Sequence, residues 1–105
     1  MVEFPNKKIY LYTESLDFRC GINTIENLIS IYFPNTDTKD SLYIFFSKNR
    51  RQVKILEIDN EGTWLYQNKL KDYRFMFPKC SKTTSISPNE LKFILKSLEL
   101  VKKRI

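Results

Sequence analysis

Residues 42–67 read LYIFFSKNRRQVKILEIDNEGTWLYQ, and the fold turns on how this stretch is parsed. Leu42–Phe46 and Val53–Ile58 are short and rich in β-branched and aromatic residues. The polar segment Ser47–Gln52 separates them, which marks them as two strands of a hairpin. Lys48, Arg50 and Arg51 then project from a rigid turn, the way a protein presents charge to a phosphate backbone. Asp59-Asn-Glu-Gly62 holds the glycine that a tight turn requires, and Thr63–Gln67 supplies a third strand. The register of the middle strand stays open, because Lys54 and Glu57 cannot both share the face of Ile55 without a bulge or an edge position. Further on, Tyr73–Phe77 reads as a last strand stopped by Pro78.

Towards the N-terminus, Lys8–Tyr12 reads as a first strand and Thr13–Gly21 as a polar connection. Ile22, Ile25, Leu28, Ile29 and Tyr32 recur at helical spacing, with Asn23, Glu26, Asn27 and Ser30 on the other face. This predicts an amphipathic helix that stops before Pro34. Asn35–Ser41 lacks apolar residues and reads as a surface loop. Towards the C-terminus, Ser87-Pro-Asn-Glu90 is a capping box: an N-cap serine, a proline at the first helical position and a glutamate at the third. Leu91, Ile94, Leu95, Leu98 and Val101 line one face of the helix it predicts, and Lys102, Lys103 and Arg104 fall at its end, where cations suit the helix dipole. The expected fold is a single α+β domain over residues 1–105, a mostly antiparallel β-meander with one helix in the N-terminal half and one at the C-terminus.

A chain of 105 residues has room for one domain and should bury roughly 60–70% of its unfolded surface, and 42% hydrophobic residues suffice for a real core. No apolar run approaches the ~20 residues needed to span a bilayer, and Met1–Pro5 lacks the pattern of a signal segment. A cytoplasmic protein without membrane contact is expected. Cys20 and Cys80 form no Cys-x-x-Cys pair and histidine is absent, so a zinc site is not expected and two reduced thiols fit the cytosol. Net charge is +6, distributed unevenly: residues 1–45 carry four cations against six anions, and residues 46–82 carry nine against four. Such a surplus suits an anionic partner, most often nucleic acid; a Lys-rich solvated surface typical of AT-rich genomes is the alternative that charge alone leaves open.

Without histidine, Ser/His/Asp and Cys/His nucleophilic arrangements are excluded, and two isolated glycines make no phosphate loop. Asp17, Asp59 and Glu61 are the acids to weigh for a catalytic metal, yet Asp59 and Glu61 flank a turn, where acids bond local amides and stay solvated. No catalytic residue and no cofactor are expected. The candidate nucleic-acid contacts are Arg19, Lys48, Arg50, Arg51, Lys54, Lys69 and Arg74, with Lys71 between the last two. Tyr43, Trp64, Tyr66 and Tyr73 are interleaved with them, as stacking faces or as core, and core is the expectation for Trp64. Asp17-Phe-Arg-Cys-Gly21 fits either a local ion pair or an anion site at the helix start.

The ordered motifs resemble a known family, the small accessory proteins (TnpB) encoded by the second reading frame of insertion sequence 66 type elements, which are unrelated to the RNA-guided nucleases of the same name. Asp17-Phe-Arg-Cys-Gly21 is similar to the family's Asp-Met-Arg-Lys-Gly. Leu42–Leu56 follows its strand, basic turn and Lys-Ile-Leu strand. Asp59, Gly62, Trp64-Leu-Tyr66, Lys69-Leu70, Arg74-Phe75, Pro78 and a Leu-rich helix continue in the same order. The chain departs at Glu57-Ile58, where the family has an aromatic pair, at Asn68-Lys69, where it has a Lys-Arg pair, at Arg51, where it has an acid, and at Cys20, where it has a lysine. The resemblance implies a non-catalytic part in DNA transposition beside a separate, larger transposase. It leaves two modes open, contact with DNA at the element ends and docking on the transposase as a protein–protein adaptor without direct DNA contact.

Overall fold

The computed structural model describes residues 7–59, 61–71, 83–95 and 101–104. The strands are β1 (Lys8–Ser15), β2 (Ser41–Phe46), β3 (Gln52–Asp59), β4 (Gly62–Lys69), β5 (Thr83–Ile86) and β6 (Val101–Arg104); the helices are α1 (Ile22–Tyr32), between β1 and β2, and α2 (Pro88–Leu95), between β5 and β6. All six strands share one sheet in the order β5-β1-β2-β3-β4-β6. β2, β3 and β4 form the expected antiparallel meander, whereas β1 pairs with β2 in parallel, the direction that a helical crossover between them allows.

β2 explains why the sheet needs cover on both sides. Its six residues are all buried, so it reads as an unbroken apolar run without alternation. Leu42, Ile44 and Phe46 pack on one face with Ile9, Leu11, Val53, Ile55, Tyr66, Ile86 and Leu91 of α2. Tyr43 and Phe45 pack on the other with Tyr12, Leu56, Leu65 and the Ile25, Ile29 and Phe33 side chains of the α1 region. Around Tyr10, Tyr43 and Phe33 the ring centroids lie 5.5–5.8 Å apart, two of the three pairs tilted, the spacing that aromatic quadrupoles favour.

The β3 register resolves without a bulge. Ile55 lies opposite Ile44 and Tyr66, Lys54 opposite Phe45 and Gln67, and Glu57 opposite Leu42 and Trp64. Lys54 thus points to the α1 face and Glu57 to the α2 face. Each finds a polar partner there: Lys54 Nζ donates to the Phe18 carbonyl at 3.1 Å, and Glu57 Oε1 accepts from Tyr66 Oη at 2.6 Å. The following turn uses Asp59, whose Oδ1 accepts from the Glu61 and Gly62 amides while Oδ2 accepts from Trp64 Nε1. Gly62 sits at φ 152°, a conformation that L side chains rarely adopt, so the glycine is required there.

The capping box forms as expected, with Ser87 Oγ accepting from the Glu90 amide and Glu90 Oε1 from the Ser87 amide, both at 3.1 Å. Three expectations are corrected. The polar connection after β1 is shorter, because Thr13–Ser15 continues the strand. A 3-10 turn, Thr38–Asp40, occupies the Asn35–Ser41 loop, and Ser41 opens β2. The C-terminal helix does not carry Val101–Arg104: these residues are β6, pairing antiparallel with β4 from Gln67 to Trp64. β4 would otherwise leave a row of unpaired backbone groups at the sheet edge, and a strand satisfies them where a helix cannot. β5, unforeseen in the sequence, covers β1 in the same way. The expected strand Tyr73–Phe77 lies outside the described residues, as does Cys80.

Candidate nucleic-acid interface

Strand direction gathers the candidate cations. β1 runs parallel to β2, and β3 and β4 return antiparallel, so the C-terminal ends of β1, β2 and β4 and the start of β3 meet at one end of the sheet. Three backbone hydrogen bonds extend the ladders past the strand ends and bind the loops to one another: Leu16 N to Phe46 O at 3.0 Å, Ser47 N to Gln52 O at 3.1 Å, and Leu70 N to Arg51 O at 2.7 Å. Arg19 sits on the first loop, Lys48, Arg50 and Arg51 on the second, Lys69 at the end of β4 and Lys71 on the loop that follows it. Three strand gaps separate the outer loops, roughly 15 Å across.

The turn at the centre is built by side chains. Asn49 Oδ1 accepts from Ser47 Oγ and the Arg51 amide, and Ser47 Oγ in turn accepts from the Gln52 amide at 3.0 Å. Arg50 takes φ 59°, the left-handed region, and its amide donates to Ser47 O at 2.9 Å. A non-glycine residue there carries roughly 1–2 kcal/mol of steric strain. Lys48 and Lys69 are exposed, and Arg51 Nη1 reaches Lys71 O at 3.3 Å.

Arg19 is exposed and forked onto Asp17, with Nε to Oδ1 at 3.0 Å and Nη2 to Oδ2 at 2.8 Å, and the Arg19 amide also donates to Oδ1. Of the two open readings of this motif, the local ion pair is the one formed. The hydrogen bond from the Arg19 guanidinium holds the Asp17 carboxyl down at about 2, and the same bond raises Arg19 further. Gly21 behind it has an extended backbone with open space where a Cβ would sit, so neither strain nor packing demands glycine.

Lys54 lies just inboard of this end with its ammonium 4.8 Å from the Phe18 ring centroid, fastening the Asp17–Arg19 loop to the sheet. It holds the loop that bears Arg19. Arg74 lies outside the described residues. The aromatic candidates do not join the cations: Tyr43 and Tyr66 are core and Trp64 packs inward half-buried, as expected for it, while Tyr73 lies outside the described residues. Burial first, then the bond to Glu57, pushes the Tyr66 phenol well above its ordinary range.

Sequence reading missed the groove between the first two loops, about 800 Å³, lined by Ser15–Arg19 and by Ser47, Lys48, Asn49 and Gln52. No spacing signals it, because its two walls are 30 residues apart and meet only through the parallel β1–β2 pairing. The Ser-x-Asn turn was the legible clue to one wall.

Charge is polarised along the strands. At the end just described the acids among the described residues are Glu14, half-buried in β1, and the forked Asp17. At the opposite end, among the described residues, Asp37, Asp40, Glu57, Asp59 and Glu61 outnumber Lys7, Lys8, Lys39 and Arg104, the last paired with Trp64 near the start of β4. Among the described residues no helix is long and apolar enough to cross a membrane.

Comparison with known proteins bears on what this polarised sheet belongs to. A protein of Sinorhizobium fredii named "Uncharacterized protein y4hO" is 22% identical over 95 residues, which cover 90% of this chain and 83% of that protein. No solved structure matches. The family described as IS66 Orf2 like protein matches residues 7–104, nearly the whole chain, and that span takes in both walls of the groove and every candidate cation. The chain belongs to the IS66 Orf2-like family, and is an accessory protein associated with transposition.

Proposed function

We propose that this protein acts without catalysis in the cytoplasm, binding DNA at the ends of the transposable element through the basic end of its sheet, beside a separate transposase. The observation that carries the reading is the convergence of Arg19, Lys48, Arg50, Arg51 and Lys69 at one end of the sheet, on two loops and the end of β4 held together by backbone bonds. Duplex DNA presents one charge per about 1.7 Å of axis, so a footprint of roughly 15 Å faces several phosphates at once, and counterion release supplies the driving force. Rigid hairpin and loop geometry lowers the ordering cost on binding. Arg74 is counted among the DNA contacts in this reading. Mobility-shift titration on an element-end duplex tests it: a complex at low salt that dissolves as salt rises is expected, and no complex at low salt overturns it.

The adaptor reading, docking on the transposase without DNA contact, has one observation in its favour. Ile31 on the outer side of α1 is 57% exposed, the large apolar side chain that packing does not use among the described residues. Single exposed apolar residues are ordinary on soluble proteins, so this weighs less than the gathered cations. Co-purification with the transposase that survives Arg50→Ala plus Arg51→Ala, with no DNA binding by either protein form, is the result that would favour the adaptor.

A further inference from the structure

The groove between the Ser15–Arg19 loop and the Ser47–Gln52 turn has a composition that a purely phosphate-binding surface does not need. Leu16 and Phe18 give it apolar lining, and Asn49 and Gln52 give it side-chain amides. The Asn49 carbonyl is consumed by the turn, which leaves its NH2 group as donor, and the Gln52 side-chain amide, unlike its backbone N–H, has no partner among the described residues. Arg19 uses Nε and Nη2 on Asp17, leaving Nη1 to donate elsewhere, and Lys48 is exposed at the rim. Apolar walls, amide donors and acceptors, and cations at the mouth together match the three parts of a nucleotide: base face, base edge and phosphate. The volume, about 800 Å³, falls inside the usual range for small-ligand clefts.

We infer that this groove holds an unpaired nucleotide of the bound DNA, so that the basic end prefers a frayed or extended DNA terminus to an uninterrupted duplex. The inference rests on the proposed DNA-binding function and adds its substrate class. Base-paired nucleotides cannot enter, since their edges are engaged and their faces stacked; a terminal unpaired nucleotide pays little to unstack. Gln52 reads the base edge, Leu16 and Phe18 contact the ring, and Arg19 and Lys48 hold the flanking phosphate.

Fluorescence anisotropy with three labelled DNAs tests this at one salt concentration: a blunt duplex, the same duplex with a short unpaired 3′ extension, and one with a short unpaired 5′ extension. At least one extended duplex should bind about tenfold tighter than the blunt one, in line with the energy of stacking a base on a protein surface. Gln52→Ala, checked for folding by circular dichroism, should shrink that ratio severalfold. Equal affinity for all three DNAs overturns the inference and leaves duplex binding standing. A preference that Gln52→Ala does not reduce also overturns it, because the unpaired nucleotide then sits elsewhere. No binding to any of them removes the proposed function as well.

Discussion

Lys54 Nζ donates to the carbonyl oxygen of Phe18 at 3.1 Å, across 36 residues of sequence, and so fastens the loop that carries Arg19 to the centre of the sheet. The same ammonium lies 4.8 Å from the Phe18 ring centroid, a cation–π contact in a half-buried setting. A residue that the sequence offers as a DNA contact thus serves the site from behind. Lys54→Met keeps the aliphatic stem and removes both interactions. It should lower stability by about 1–2 kcal/mol in urea denaturation and raise proteolytic nicking within residues 15–20.

Arg50 sits at φ 59° in the turn, where glycine is preferred. Relief of roughly 1–2 kcal/mol of strain outweighs the roughly 0.4–1 kcal/mol of added chain entropy in the unfolded state. Arg50→Gly relieves this strain while removing the charge, and should weaken DNA binding without unfolding the protein. Thermal melts check that the variant folds and mobility shifts read the binding; unchanged DNA affinity in folded Arg50→Gly contradicts the assignment of Arg50 to the interface.

Asp17 masks part of Arg19. Its carboxyl titrates at about 2 in place of 3.8 because Arg19 hydrogen-bonds the ionised form. The stabilisation from this pair is complete above 3.8 and is lost as pH falls through about 2, and both side chains are exposed, so it is small. Between pH 5 and 8 the pair stays ionised, and Asp17 should give the DNA affinity no pH step in that window. Asp17→Asn should tighten binding and steepen its salt dependence by up to about 0.9 in log–log slope, the contribution of one further phosphate contact.

At the other end of the sheet, Tyr66 Oη donates to Glu57 at 2.6 Å and Lys7 Nζ lies 3.8 Å from the same carboxylate. Tyr66→Phe leaves a mostly buried carboxylate short of a donor and should cost about 1.5–3 kcal/mol in urea denaturation with DNA affinity unchanged. The raised phenol pKa means its stabilisation is complete below the ordinary value of 10.0 and fades as pH climbs from there. Spectrophotometric titration should show a late-titrating phenol that is absent in Tyr66→Phe.

The meander was legible because Leu42–Phe46, Val53–Ile58 and Thr63–Gln67 are separated by turns whose chemistry is local: Gly62 at positive φ, Asp59 on the turn amides, Ser47 and Asn49 on theirs. Helix α1 and the capping box of α2 were legible for the same reason. What escaped depends on partners far along the chain. Val101 continues the apolar helical period with Lys102, Lys103 and Arg104 as its polar end, and Val101–Arg104 becomes a strand only because β4 offers an open edge. The groove, likewise, exists only once β1 lies parallel to β2. Candidate cations could be named from the hairpin, but their split into exposed (Lys48, Lys69), forked (Arg19) and internally bonded (Lys54) side chains follows from packing.

A matched pair of double variants addresses the location of DNA binding most directly. Lys48→Ala plus Lys69→Ala and Lys8→Ala plus Lys39→Ala remove the same charge from exposed positions at opposite ends of the sheet. In salt titrations of element-end DNA binding, the first pair should flatten the log–log slope by about 1.8, or about 0.9 per lost phosphate contact, and the second should leave it unchanged. Equal losses from both pairs, or none from either, would contradict binding through the basic end.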